Sequence, residues 1–382
     1  MRKVYVLGVG QSKFGKFKEL TATDLGTEAV TAAIADAGID PRELQVAYGA
    51  RAVDGSTTVQ DVLKNVGVTQ IEMNNIENAC GSGISAVNLL WRDIAYGAYD
   101  VGIAVGMEAM TTSSLAGKLL GANKDDINGQ IGMSMPGYFA LMTRRFMNAT
   151  GATAADMAYP SYKNHKNGCL NPYSMYKKEF SIEEIVNSRM ISDPITLLEC
   201  CPTTDGAAAV IYCTEEFARK YTTKLIEVRA SKCMSACFED PTADITGFAM
   251  PKKLAKAVYE MAGIGPQDVN CVELHDAFSP EEIWAYSDLG LCREEDVLSF
   301  IRSGAAEING KCAVNASGGL LSLGHPLGAS GVRVVCEVAL QLRGDAGAHQ
   351  VPGAKVGLAQ MMGGFLSGLQ APIAEGIQIL TR

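Results

Sequence analysis

Long hydrophobic runs are missing from this sequence: no apolar stretch in its 382 residues is long enough to span a bilayer. Blocks of like charge are missing too, and the formal net charge is −9. A nucleic-acid partner calls for a basic stripe, so that class is excluded. An anionic small substrate is not, since local basic side chains can serve it within an acidic whole. Paired cysteine spacings are also absent. Eleven cysteines are scattered; Cys200 and Cys201 are adjacent, and Cys233 and Cys237 have no second pair to complete a tetrahedral site. This argues against a disulfide framework or a metal on this chain and for a reducing compartment. The N-terminal Met1 to Gly10 reads as a β-strand without a cleavage site or the length of a signal core. A cytoplasmic protein, with no membrane or nucleic-acid partner, is the expectation.

Aromatics are sparse at 7%, whereas glycine is abundant at 40 residues in a chain that is 47% apolar. That balance suits tightly packed α/β layers with short turns. The length exceeds what one core usually serves, so two domains or two fused halves are expected. Gly8-Val9-Gly10 follows the first strand but lacks the third glycine and acidic partner of a dinucleotide site. An amphipathic helix is predicted over residues 23–37, closed by Gly38. Strands are predicted near 47–51, 101–106 and 206–212, and a helix from Gly81 to about Ala95. Between about 111 and 192 the pattern loosens into a long insertion with short helical pieces, such as Thr153 to Lys166.

The second part of the chain echoes the first. Asn78-Ala79-Cys80-Gly81 is matched by Asn315-Ala316-Ser317-Gly318. Ser82-Gly83-Ile84 before a helix is matched by Ser330-Gly331-Val332 before another. Each helix leads to a glycine-bearing strand, 101–106 and 355–359. Three echoes in one order predict a duplicated βαβ half-domain, with halves at 1–226 and 227–382.

Cys80 stands where a coil meets a glycine-flanked helix start, a setting that favours thiolate. Gly81 and Gly83 admit close backbone approach and leave N–H groups for an oxyanion. The other ten cysteines read as small buried hydrophobes. His325 is held in Gly324-His325-Pro326-Leu327-Gly328-Ala329-Ser330-Gly331, far more backbone constraint than a core histidine needs and what an aimed base requires. His275, in Glu273-Leu274-His275-Asp276-Ala277-Phe278, ends a short apolar strand, where either a structural or a substrate-polarising role is open. His165 and His349 read as surface or packing residues. Gly363-Gly364 forms a second glycine loop, either a simple turn or a further backbone donor.

Together these strings resemble the thiolase superfamily over nearly the whole chain. Asn78 to Gly83 is similar to the nucleophile motif, Thr204-Asp205-Gly206-Ala207-Ala208-Ala209 to the strand closing the first half, and Gly324 to Gly331 to the histidine loop. Lys163-Asn164-His165-Lys166-Asn167, Asn171-Pro172-Tyr173 and His275-Asp276-Ala277-Phe278 resemble the sterol-carrier-protein-type branch. The resemblance implies a five-layer α-β-α-β-α sandwich of two duplicated βαβαβαββ halves. It implies coenzyme A as acyl carrier and a covalent acyl group on Cys80. His325 would take the thiol proton, His275 and His325 would polarise the thioester, and the N–H groups of Cys80 and Gly364 would hold an oxyanion. Thiolytic cleavage of a β-ketoacyl-CoA is the implied reaction. The alternatives are a retro-aldol C–C lyase or carbon acyltransferase, against which Cys80 counts, and a non-catalytic acyl-CoA-binding subunit, which would not keep both nucleophile and base.

One departure stands out. Ordinary thiolases carry a second cysteine where this chain has Met361, and some of the branch take one from the residue after His-Asp, here Ala277. The source of the α-carbon proton is thus left open among His275, an unidentified residue and the substrate, which favours a specialised β-ketoacyl-CoA. One relative of this organisation acts on benzoylsuccinyl-CoA, giving benzoyl-CoA and succinyl-CoA. The branch further implies a homodimer core with a small zinc-ribbon/OB-fold subunit, as a heterotetramer. Met133, Met135, Tyr138 and Phe139 are candidates to line the acyl pocket, and Arg144, Arg145, Lys163 and Lys166 to meet CoA phosphates; core packing and solvated surface are the competing readings.

Overall fold

A computed structural model describes residues 1–53, 57–113, 127–236, 249–366 and 371–382. Its strands are β1 (Val4–Gln11), β2 (Val46–Ala50), β3 (Glu72–Ile76), β4 (Val101–Ala109), β5 (Met190–Ser192) and β6 (Ile195–Thr196). They continue as β7 (Asp205–Thr214), β8 (Ile226–Ser235), β9 (Cys271–Glu273), β10 (Ala313–Val314), β11 (Val356–Leu366) and β12 (Ala371–Thr381). Ten of them form one sheet, in the order β10-β9-β11-β12-β8-β1-β7-β4-β2-β3. Numbered within each half, the order is 3-2-4-5-1 on both sides, with the same parallel and antiparallel pairings. The repeated motifs thus mark a repeated topology. Within the sheet the halves meet at β1 and β8, through the antiparallel pairs Tyr5 with Glu227 and Val6 with Ile226.

Side chains alternate along these strands and feed two cores. Tyr5, Leu7, Ala207, Ala209 and Ile211 pack on the outer helix Ala22–Ala37. Val4, Val6, Ala208, Val210 and Tyr212 face inward, toward the helices Ser82–Tyr96 and Leu327–Arg343. On the far side, Ala249–Ala262 covers β8 and β12. The layers therefore run helix, sheet, helix, sheet, helix, as in a thiolase fold. The two inner helices cross so closely that a Cβ on Gly331 would lie 2.3 Å from the Ile84 nitrogen, so only glycine fits there.

Helix boundaries follow local chemistry. The outer helix starts in a capping box between Thr21 and Asp24 and stops at Gly38, whose φ of 69° ends the ladder. The insertion holds helices Met135–Thr150, Ala154–Leu170 and Ile182–Val186 and the hairpin β5–β6. Ala154–Leu170, expected as Thr153 to Lys166, begins after its Thr153 cap and packs on Ser279–Asp288 and Gly319–Leu323 of the second half. An excursion from one half therefore roofs the site of the other. Strand β3, Glu-Met-Asn-Asn-Ile, was not anticipated, because it lies at the sheet edge with a polar, largely exposed surface instead of an apolar alternation. No described helix is long and apolar enough to cross a membrane.

Candidate active site

Cys80 follows β3 by four residues and stands two residues before the inner helix Ser82–Tyr96, ahead of its cap Gly81. Ala79 has a left-handed φ of 50°, unusual for a residue with a Cβ. Hydrogen bonds hold this turn: Gly81 N–H donates to Asn78 O at 2.9 Å, and Asn78 N–H donates to Ser82 Oγ at 2.8 Å. Gly81 opens the helix with no side-chain cap. The end of the helix dipole beside Cys80 is accordingly not screened by a capping side chain.

The histidine loop and the end of β9 bring two rings to this thiol. Cys80 Sγ and one nitrogen of each of His275 and His325 lie within 4.8 Å of one another. The rings stand 5.1 Å apart at 78°. Their outer nitrogens are differently engaged. His325 Nδ1 lies 2.8 Å from Ser330 Oγ, and that hydroxyl gives its only hydrogen to Pro326 O at 2.9 Å. Nδ1 must therefore be the donor, which leaves Nε2 as a bare acceptor. His275 Nδ1 lies 2.5 Å from Glu281 Oε1, while Glu281 Oε2 accepts from Ala277 N–H at 3.1 Å. Both Nε2 atoms are buried and have no hydrogen-bond partner among the described residues.

Electrostatics separate the two histidines. Burial, His275 and Arg333 push the His325 pKa well below its ordinary value, so this ring is neutral. Burial also disfavours charge on His275, but the Glu281 carboxylate and Cys80 outweigh it and push its pKa up to about 10. One ring is a proton acceptor, the other a fixed cation, and such a split is what acid–base chemistry at one centre requires. Cys80, His275 and His325 are the one His/Cys/carboxylate group among the described residues spaced to share a metal ion. A protonated His275 has no lone pair to offer, so proton transfer suits the trio better than a metal.

The second glycine loop closes the site. A Cβ on Gly363 would stand 2.4 Å from Gly81 N and 3.1 Å from Cys80 N, whereas one on Gly364 would meet Ala79 at 3.7 Å. Gly364, with a φ of 55°, thus lies one step further from Cys80 than Gly363. Sequence reasoning singled out Gly364; the closer contact of Gly363 is with the Asn78–Gly81 turn, nearly three hundred residues away in the chain, which local motifs do not reveal.

Other candidates fall elsewhere. Lys163 is buried, with its ammonium 3.0 Å from Glu282 Oε1 and donating at 2.5 Å to Asn164 Oδ1 and Val314 O. It cannot meet a CoA phosphate, contrary to the expectation from its polar neighbours. Its network supports the site: Asn164 donates at 2.8 Å to Asp276, which follows His275. Lys166 is exposed, 3.8 Å from Glu307, and Arg144 binds Asp193 through two nitrogens. Phe139 is buried and stacked on Phe278 at 4.5 Å and Trp284 at 6.0 Å. It belongs to the wall behind His275, whereas Tyr138 meets it edge-on at 6.3 Å. His165 packs between Tyr176 and Phe180, and burial lowers its pKa to about 4. His349 pairs with Glu337 at 2.8 Å. Neither belongs to the site. Glu281, the anchor of His275, was missed because five residues separate the two and it lies in the next helix, Ser279–Asp288.

The fold and this trio define the class. The thiolase N-terminal domain family matches residues 4–216 and the thiolase C-terminal domain-like family matches residues 238–375. Benzoylsuccinyl-CoA thiolase subunit BbsB of Thauera aromatica is 41% identical over 367 residues, 95% of each chain. Acetyl-CoA acetyltransferase of Methanothermobacter thermautotrophicus is 36% identical, over 95% of this chain and 97% of its own. Among solved structures, an Ltp2-ChsH2(DUF35) aldolase superposes with a TM-score of 0.85 at 23% identity, covering 99% of this chain and 97% of its own. The chain belongs to the thiolase family. It is a thiolase-type acyltransferase, an enzyme class that uses coenzyme A as its acyl carrier.

Proposed function

We propose that this chain cleaves a β-ketoacyl-CoA with free CoA through an acyl group on Cys80, and that its substrate is benzoylsuccinyl-CoA, giving benzoyl-CoA and succinyl-CoA. The observation that carries the mechanism is the pairing of a neutral His325 and a cationic His275 at one thiol. His325 Nε2 takes the Cys80 proton as sulfur attacks the β-keto carbon. The cationic His275 steadies the negative charge that develops nearby. Backbone N–H groups of Cys80 and Gly364 complete the oxyanion site. Sulfur attacks and leaves with little cost in either direction, which suits acyl exchange between thiols. The 41% identity to the BbsB subunit supports the substrate.

The halves are taken as 1–226 and 227–382. A homodimer core is supported by β3, an exposed edge strand that leads straight into the nucleophile turn and leaves a ladder of unpaired backbone groups. The subunit nature of the Thauera relative, and the two-component name of the aldolase, support a small zinc-ribbon/OB-fold partner in a heterotetramer. A cytoplasmic setting fits the free thiols. The retro-aldol alternative rests on a likeness in fold alone.

Consumption of CoA tests the reading. With benzoylsuccinyl-CoA, and with the small subunit added, thiolysis uses one CoA for each benzoyl-CoA and succinyl-CoA formed. Cleavage that proceeds without CoA would replace thiolase chemistry with lyase chemistry.

A further inference from the structure

Breaking a carbon–carbon bond creates two proton problems that His325 does not solve. The α-carbon leaves with the bonding electron pair and needs a proton, and the incoming CoA thiol must then lose one. Met361, on β11, carries no exchangeable proton, and Ala277 carries none either. A group that gives and then takes a proton is required within reach of Cys80.

The segment Cys200-Cys201-Pro202 threads between the two histidine loops. Cys201 N–H donates to Ala277 O at 2.9 Å, two residues beyond His275. His325 N–H donates to Pro202 O at 3.3 Å, one residue beyond Cys201. Cys200 forms a bridge with Phe278, and its own thiol is turned away to Thr196 O at 3.4 Å. Cys201 is thus pinned to both catalytic loops by backbone bonds on either side. A part of it remains accessible, as for Cys80, whereas Cys213, Cys271, Cys312 and Cys336 are sealed in the cores. The loops it is pinned to carry rings whose Nε2 atoms, on side chains at most 6% exposed, have no hydrogen-bond partner among the described residues and cluster with Cys80.

We infer that Cys201 is the acid–base residue for the substrate α-carbon, standing in for the absent thiol at 361 and 277. This rests on the thiolase reading above. The steps balance. As the Cα–Cβ bond breaks, its electron pair takes the proton of the Cys201 thiol, and acyl-Cys80 and a Cys201 thiolate remain. The thiolate takes the proton of CoA, whose sulfur attacks the acyl carbon. Cys80 leaves with its electron pair and recovers its original proton from His325. Burial and the nearby thiols and carboxylates, Cys80 among them, raise the Cys201 pKa well above its usual range, so the resting form is the proton donor.

Exchange of α-hydrogens separates this role from a structural one. Wild type, Cys201→Ser, Cys201→Ala and Glu375→Gln would be incubated with succinyl-CoA in D2O, with benzoyl-CoA acylation of Cys80 followed by mass in parallel. Glu375 is included because its buried carboxyl lines the small cavity beside His275 and has its pKa raised to about 8 by burial. Acylation by benzoyl-CoA requires no proton at carbon. The expected result is deuterium incorporation down by at least about 100-fold in both Cys201 variants, with acylation within a few-fold of wild type. Incorporation that survives in either Cys201 variant, that is lost only in Glu375→Gln, or that falls in step with acylation in both Cys201 variants would overturn the inference. Failure of wild type to acylate Cys80 would instead sink the thiolase reading beneath it.

Discussion

The two halves share one strand order and one motif, yet they put the motif to opposite uses. In the first half the turn Asn78-Ala79-Cys80-Gly81 follows an exposed edge strand and presents a partly accessible thiol. In the second half the turn Asn315-Ala316-Ser317-Gly318 follows β10 and is buried like that strand. Ser317 Oγ is held by Glu273 at 2.5 Å and Arg333 at 2.8 Å, and Asn315 donates to Glu282 at 2.8 Å. The same motif at the same place in the strand order thus supplies a nucleophile on one side and a buried, charged scaffold on the other, with different backbones: φ is left-handed at Ala79 in the first turn and at Asn315 and Gly318 in the second. What the second half contributes to chemistry comes from its other loops, His275 after β9 and the His325 loop before the inner helix.

Breaking the active turn has the largest expected effect. Cys80→Ser lowers thiolysis at least about 10³-fold and abolishes any acyl adduct, because a hydroxyl is a far poorer nucleophile and leaving group at neutral pH. A rate within tenfold of wild type in a thiolysis assay would remove Cys80 from the mechanism. Breaking the scaffold acts on stability instead. Lys163→Met leaves Glu282 as an uncompensated buried charge and costs about 3–5 kcal/mol in a denaturant titration. A midpoint unchanged from wild type would mean that Glu282 does not need its cation.

Glu281→Gln sharpens the comparison by acting on pH alone. The His275 pKa is raised to about 10, so its charge, and the stability it brings, is fully present below the unfolded value and lost as pH rises through the folded one. Without the carboxylate, burial dominates and the pKa falls. The alkaline limb of the kcat/KM profile is expected to move to lower pH, and an unmoved limb would detach it from His275. The smallest effect is a null one. Ser317→Cys recreates the nucleophile motif in the second half, and peptide mapping after substrate addition should find no acyl group at position 317.

Much of this was legible where physics is local. The outer helix was marked by its periodicity and Gly38, and the strands around 101–106 and 206–212 by apolar runs that prove to be β4 and β7. Cys80 and His325 stood out because glycine and proline are dense around them, and in the fold several of those glycines also serve close packing, as at Gly83, Gly328 and Gly331. The edge strand β3 escaped because it has no apolar face to show. Lys163 misled because its polar neighbours suggest solvent, while its partners Glu282 and Val314 lie more than a hundred residues away.

The most direct test of the account is intact-protein mass spectrometry of the chain mixed with benzoylsuccinyl-CoA, in the presence of the small subunit and without free CoA. The account predicts a benzoyl-sized mass gain that maps to Cys80, is discharged by CoA, and is absent from Cys80→Ser. Turnover of the thioester with no adduct on wild type, undiminished in Cys80→Ser, would contradict it.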